Sequence, residues 1–261
     1  KSIVSLVQAK AAKLGDVEAL KEGLVAVLVS PAFLLLNTDD LMPADRFAAK
    51  FSYFLHSTLP DTDLRAAVAA GKHVWSEKPL GLDREAAALL LQEAEAAGVR
   101  VGSAPDTLLG PGFQAARRAI EEGLIGRPLF AQTAFQTQGP DLWHPNPGFL
   151  FAHGAGPLLD MGPYYFSALV SLFGSVDRVS AVGTKARAER EIHTGPRAGE
   201  RFPVEVPSTI QIATAFASGQ QAQSLLSFDS ALERHGVVEI HGTEGSIVLP
   251  DPNRFEGRIA Y

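Results

Sequence analysis

The stretch AGKHVWSEKPLGLDREAAALLLQEAEAAGVRVGSAPD, residues 70–106, decides the fold of this chain. It predicts a short strand over Lys72–Ser76 and a second strand over Val99–Ser103. Between them it predicts a helix over Arg84–Ala97, with Asp83 as its cap. A strand, helix and strand of this length form a right-handed crossover between two parallel strands. We therefore expect part of an open, parallel α/β sheet.

Polar residues follow both predicted strands. Glu77, Lys78 and Pro79 come directly after the first strand, and Asp106 follows the second. Ligands of open α/β sheets gather beyond the carboxyl ends of the strands, so this edge is the candidate site. There, Lys78 can hydrogen-bond or protonate a substrate oxygen, and Glu77 can accept hydrogen bonds from ribose hydroxyls. By itself, a Glu-Lys pair is more typical of a solvated ion pair on a loop.

Downstream, the pattern changes from alternating helix and strand to mostly strands. We predict a helix over Phe113–Glu122, a long loop over Thr194–Pro207 and a covering helix over Leu158–Phe173. Alternating apolar residues in STIQIATAF (residues 208–216) indicate a mostly antiparallel sheet with one buried face. The predicted strands are Pro128–Gln138, Val176–Glu191, Ser208–Ser218, Gln221–Ser230, Val237–His241 and Gly245–Leu249.

Upstream, residues 1–63 show apolar residues at helical spacing, with Pro31 separating two helices. A buried strand over Leu24–Val29 is the alternative. The chain thus divides into a helical segment (1–63), part of a parallel α/β sheet (64–108) and an α+β domain (109–261).

Composition excludes several classes of protein. Of the 261 residues, 46% are hydrophobic and none is cysteine, which excludes disulfides, thiolate nucleophiles and sulfur-ligated metal sites. The net charge of −6 offers no basic surface, so we expect no nucleic-acid partner. The apolar run Gly23–Leu36 is too short to cross a membrane, and we expect a soluble, cytoplasmic protein without a membrane partner.

Asp160 and Tyr164 are four residues apart at the start of the predicted covering helix, so they share one face. A carboxylate beside a phenol can accept, orient or relay a proton. The simpler alternative is that Asp160 caps the helix and the tyrosine packs in the core.

Trp143 and His144, in WHPNP, form a rigid loop with an aromatic platform and an imidazole, residues common in carbohydrate and acid/base sites. A packed surface loop is the alternative. No carboxylates at suitable spacing accompany the histidines, so we predict no metal site. Gly110–Ala115 fits GxGxxA but lacks a preceding strand and a following acidic residue, and we expect an ordinary start of a helix there.

These pieces together resemble the Gfo/Idh/MocA family of NAD(P)-dependent sugar oxidoreductases, over about residues 64–261. The matching strings are AGKHVWSEKPL (70–80), SAPDTLLGPGFQAARRAIEEGLIGRP (103–128), WHPNP (143–147), GAGPLLDMGPYYFSALVSLFG (154–174) and EIHGTEGSIVLPDP (239–252). The resemblance implies a Rossmann domain, an α+β domain whose open sheet often forms a homo-oligomer interface, and NAD or NADP as cofactor.

The resemblance also implies site roles. It places Lys78, with Glu77 and Pro79, near the nicotinamide and the substrate. It assigns acid/base work to the helix carrying Asp160 and Tyr164, where many members have histidine instead of tyrosine. Our hypothesis is that Lys78 and Tyr164 contact the reacting oxygen, with Asp160 positioning them. Asp106, Trp143 and His144 are the candidate residues for a sugar or polyol substrate.

The chain departs from the family pattern upstream. The glycine fingerprint that cradles the pyrophosphate is absent before residue 64, and residues 21–61 resemble a helical domain of unknown function from bacterial cytochrome-associated proteins. We therefore expect a fused or truncated member. Two functions follow: a sugar oxidoreductase, impaired by loss of that unit, or a non-catalytic sugar-binding or interaction module.

Overall fold

The structure is a computed structural model, and it describes residues 61–82 and 84–261. The first part is the expected strand–helix–strand unit preceded by a helix. Its two strands pair in parallel, with Val74 opposite Val101 and Ser76 opposite Ser103, so the predicted parallel pairing is confirmed. The elements are α1 (Asp61–Ala69), β1 (Val74–Ser76), α2 (Arg84–Ala96) and β2 (Val101–Ser103).

Helix α2 packs one face on this unit. Leu90 and Ala94, four residues apart, are buried. Leu89 is 44% exposed, because it lies one residue round the helix from that face. The predicted cap Asp83 and the predicted helices of residues 1–60 lie outside the described residues.

The second part is built on a six-stranded sheet. The elements of this part are α3 (Pro111–Glu121), β3 (Pro128–Gln136), α4 (Gly156–Asp160), α5 (Gly162–Phe173), β4 (Val176–Thr184), β5 (Glu189–Glu191), β6 (Arg201–Pro203), β7 (Thr209–Phe216), β8 (Gln221–Ser227), β9 (Arg234–Gly242) and β10 (Ser246–Val248). The strand order of the sheet is β10-β9-β3-β8-β7-β4, and every neighbouring pair is antiparallel except β3 with β8. This confirms the mostly antiparallel sheet.

One face of this sheet is covered and the other is open. On the covered face, alternate residues of the strands pack with α5 and α3 in one apolar core. The open face carries glutamines and apolar residues of neighbouring strands, among them Gln211, Gln223 and Phe130. The core contains Phe113, Ala131, Phe135, Tyr165, Leu169, Ile210, Ile212, Leu226, Val238 and Ile240.

Two predicted elements are divided in the structure. The predicted helix Leu158–Phe173 breaks at Met161 into α4 and α5, because Pro163 has no amide hydrogen for continuing the helical bonds. The predicted strand Val176–Glu191 stops at Thr184 and resumes as β5, which pairs with β6 instead of β7. Strand β6 lies inside the region predicted as a long loop.

Residues 61–261 form one compact unit, and the division into domains at residue 108 stays a prediction. Across the described ranges, no helix has the length and hydropathy needed to cross a membrane.

Candidate active site

The carboxyl end of β1 holds Glu77 and Lys78 in a fixed position. The Ser76 hydroxyl donates to the Glu77 carbonyl oxygen at 3.1 Å, and the Ser103 hydroxyl of the paired strand lies between the carbonyl oxygens of Ala104, at 3.1 Å, and Glu77, at 3.4 Å. The Lys78 amide donates to the Glu77 carboxylate at 3.1 Å. These bonds secure the backbone from which the Lys78 side chain leaves the sheet.

Lys78 reaches across to the second part of the molecule. Its Nζ donates to the backbone oxygen of Asp160 at 2.6 Å and to Asp160 Oδ1 at 2.9 Å. The Lys78 side chain is only 14% exposed, and Asp160 is 27% exposed. The two residues are 82 positions apart in sequence, so the tertiary structure creates this ion pair from elements of both parts.

Tyr164 completes the cluster. Lys78 Nζ lies over its ring, 5.3 Å from the centroid. Burial raises the pKa of the Tyr164 phenol to about 12, assisted by the negative charges of Glu77, Asp160 and, more weakly, Asp106 and Asp251. The phenol therefore stays protonated at neutral pH and can act as a hydrogen-bond donor.

The structure brings Asp160 and Tyr164 together in a different way from the one predicted. They are not on one continuous helix face, because Asp160 ends α4 and Tyr164 lies in the first turn of α5. The helix-cap alternative for Asp160 is also wrong. The residue at the N-cap of α5 is Met161, and the Asp160 carboxylate bonds Lys78 instead.

Two further carboxylates lie near the phenol. Asp106 comes just before a short 3₁₀ helix at Thr107–Leu109 and acts on Tyr164 through its charge. Asp251, which follows β10, acts in the same way and was not among the residues selected from the sequence. The available signal was its place in the string EIHGTEGSIVLPDP, directly after a predicted strand.

Trp143 and His144 are placed on an exposed loop. Trp143 is 66% exposed, and its ring meets His144 at 5.6 Å between centroids. His144 in turn contacts the ring of Phe149, and its Nδ1 accepts a bond from the Asn146 amide at 3.0 Å. These contacts lie within the loop, so a role of either residue toward substrate stays a prediction.

The GxGxxA segment starts a helix, as expected. Gly110 is the N-cap of α3, and a 3₁₀ helix precedes it. The chain near residues 255–257 packs directly on it: a Cβ at Gly112 would lie 2.6 Å from the Gly257 carbonyl oxygen. These glycines therefore allow the backbone near residues 255–257 to pack closely, because a side chain at either position would clash with it.

The described residues fit the nicotinamide end of a dinucleotide. An ammonium and a carboxylate stand at the carboxyl end of parallel strands, which is where such folds bind their cofactors. Lys78 and Glu77 are the residues that would hold it. Within residues 61–82 and 84–261, no strand leads into a glycine fingerprint for the pyrophosphate, and no three histidines or acidic residues cluster as metal ligands.

Comparison with known proteins identifies the relatives of this chain. The model of the GFO/IDH/MocA C-terminal domain matches residues 113–248. Levoglucosan dehydrogenase of Pseudarthrobacter phenanthrenivorans is 30% identical over 216 residues, covering 75% of this chain and 54% of that protein. The chain thus spans about half the length of the curated relatives it matches.

Solved structures agree with this result. An NAD-binding oxidoreductase from Klebsiella pneumoniae superposes with a TM-score of 0.63 and 30% identity, covering 75% of this chain and 52% of that one. Levoglucosan dehydrogenase in complex with NADH and L-sorbose has a TM-score of 0.62 and 28% identity, covering 72% and 50%. The strand–helix–strand unit, the open sheet and these matches together show that the chain belongs to the Gfo/Idh/MocA family of oxidoreductases.

Proposed function

We propose that this chain is an NAD(P)-dependent oxidoreductase that acts on a hydroxyl or carbonyl group of a sugar or polyol. The observation that carries the proposal is the Lys78–Asp160 ion pair beside the protonated Tyr164 at the end of parallel strands. When bound, the nicotinamide supplies the acceptor or donor of hydride. The described residues supply the remaining requirement, which is control of a proton on oxygen.

The hydrogen bonds of Lys78 leave it one free donor. An ammonium has three hydrogens, and Asp160 accepts two of these through its backbone oxygen and its carboxylate. The third can be directed at a substrate oxygen. In the reduction direction, Lys78 then gives a proton to the forming alkoxide, and in oxidation it takes that proton back.

Tyr164 and Asp160 have separate roles in this scheme. A phenol with a pKa of about 12 is a poor base near neutral pH, so Tyr164 donates a hydrogen bond to the reacting oxygen. Asp160 holds the ammonium in place and positions it. Glu77 would accept hydrogen bonds from the ribose hydroxyls of the cofactor, and Pro79 would fix the turn beside it.

Charge near the site favours a neutral substrate. Glu77, Asp106, Asp160 and Asp251 all act on Tyr164, with Lys78 as the cation in contact with its ring. This excess of negative charge repels sugar phosphates and sugar acids. The relative that acts on levoglucosan uses an uncharged anhydrosugar, which makes levoglucosan and L-sorbose suitable first probes. The predicted contacts of Asp106, Trp143 and His144 with substrate belong to this proposal.

The test begins with cofactor binding, because a binding module without a dinucleotide site is the rival function. Purified chain is titrated with NADH and with NADPH, following energy transfer from tryptophan. Trp75 lies in β1, two residues before Glu77, and is 52% exposed. We expect saturable quenching, and then turnover of NAD(P)⁺ with a neutral sugar. Absence of binding at millimolar cofactor would leave the fold intact and support the non-catalytic module. The cytoplasmic location stays a prediction.

A further inference from the structure

Arg190 is a buried cation outside the Lys78 cluster. It lies in the middle of β5, and its side chain is 1% exposed. A buried guanidinium is stable where its charge is paired and most of its donors are bonded. The Arg190 guanidinium meets two carboxylates, two backbone carbonyl oxygens and an aromatic ring, and its Nε has no hydrogen-bond partner among the described residues.

Three of these contacts belong to residues 138–151, here called the 138–151 segment. Arg190 Nη1 donates to the backbone carbonyl oxygen of Gln138 at 2.9 Å and forms an ion pair with Asp141. The guanidinium carbon also lies 4.9 Å from the centroid of the Phe151 ring. One side chain therefore holds the beginning and the end of this segment.

The remaining contacts attach Arg190 to the end of β8. Nη2 donates to the Phe228 carbonyl oxygen at 2.5 Å and to the Asp229 carboxylate at 2.6 Å. Asp229 also accepts from the Thr209 hydroxyl at 3.3 Å. The guanidinium thus joins the 138–151 segment to the rigid six-stranded sheet.

The chain runs from the 138–151 segment directly into the candidate active site. Gly154 packs on Leu82, which follows Glu77-Lys78-Pro79: a Cβ at Gly154 would lie 3.0 Å from Leu82 Cδ2. Helix α4 then ends at Asp160, the partner of Lys78. Trp143 and His144 project from the exposed turn of the same segment.

We propose that Arg190 is a positioning residue, which fixes the 138–151 segment so that Trp143 and His144 are preset beside the bound sugar. The inference rests on the proposed function. A planar guanidinium bonded on two edges presets the loop in the free protein, so less ordering remains to be done when substrate binds. We therefore expect loss of this positioning to raise the KM for the substrate. The catalytic step should be unaffected, because Lys78 and Tyr164 are held by other contacts.

A matched pair of variants separates positioning from stability. Asp141→Ala and Asp229→Ala each remove one of the two carboxylates of Arg190, and each leaves the other to pair its charge. Only Asp141 belongs to the 138–151 segment. We expect Asp141→Ala to raise the KM for the sugar about tenfold with kcat and the NADH Kd unchanged. Asp229→Ala is expected to change the free energy of unfolding without that change in KM. Equal KM values in both variants would overturn the proposal.

A second measurement does not require turnover. In a Trp75→Phe background, Trp143 is the remaining tryptophan, and its anisotropy decay reports motion of the segment. Faster local motion of Trp143 in Asp141→Ala than in Asp229→Ala supports the positioning role of Arg190. This holds even if the chain proves inactive, because inactivity would count only against the proposed function. Identical anisotropy decays in the two variants would overturn the positioning role of Arg190. Should Asp141→Ala fail to fold, Asp141→Asn retains the side-chain volume and serves in both assays.

Discussion

At the scale of the residue, the proposed proton transfer depends on Lys78. Its ammonium combines a fixed ion pair with one remaining donor, and a positioned proton donor contributes roughly 10²–10⁴ in rate. We expect Lys78→Met to lower kcat at least about 100-fold. Lys72→Met, an exposed lysine six residues earlier, is the control and should keep wild-type turnover. Equal activity of the two variants would remove Lys78 from the mechanism.

Tyr164 gives a prediction for alkaline pH. Its pKa is raised from an ordinary value of about 10 to about 12, mainly by burial, so the unfolded chain ionises first as pH rises. Its contribution to stability is complete below pH 10 and is lost as pH climbs from 10 towards 12. Phenolate absorbance is followed as a function of pH in the wild type and in Tyr164→Phe. The wild type should show one additional phenol that ionises near pH 12. In urea the same difference should move to about pH 10; a difference near pH 10 in the folded protein would contradict the burial.

At the scale of the element, the start of α3 depends on close backbone packing. Alanine is normally about 1 kcal/mol better than glycine inside a helix. At Gly112 the new methyl would lie 2.6 Å from the Gly257 carbonyl oxygen and 3.1 Å from Pro250. We therefore expect Gly112→Ala to reduce the free energy of unfolding by about 1–3 kcal/mol in urea titrations. Gly245→Ala, whose methyl would meet Ile125 at an ordinary 3.8 Å, should stay within about 0.5 kcal/mol of wild type.

At the scale of the whole molecule, the open face of the six-stranded sheet is the expected oligomer interface. Gln223 lies near its centre, between Gln132 of β3 and Ala213 of β7. In a two-fold dimer the same patch meets its copy, so one added charge is opposed by its own equivalent. We expect the wild type to sediment as a dimer or higher oligomer and Gln223→Arg as a monomer. Gln92→Arg, on the exposed face of α2, is the control and should leave the oligomer intact. A monomeric wild type would contradict this prediction.

Much of the local structure could be predicted from the sequence. The strand–helix–strand unit follows from a short-range pattern of apolar residues, and the buried face of β7 follows from the alternation in STIQIATAF. Glu77 and Lys78 can be recognised as site candidates because the end of a strand is a local feature, marked by the proline that follows and by the change of pattern. The Gfo/Idh/MocA membership followed from separated strings in the right order, and the comparisons confirm it.

Other features were decided by the tertiary structure, because they depend on residues distant in sequence. Asp160 could be a cap or an acid/base residue until Lys78, 82 positions away, was brought to its carboxylate. Arg190 reads as one charge in an alternating strand, yet it is buried because Asp141 and Asp229 arrive from two other segments. Asp251 acts on Tyr164 for the same reason. The sequence pattern predicts most of the elements and the lysine at the strand end, because these are local features, whereas long-range packing sets where α4 and β4 end and which charges meet.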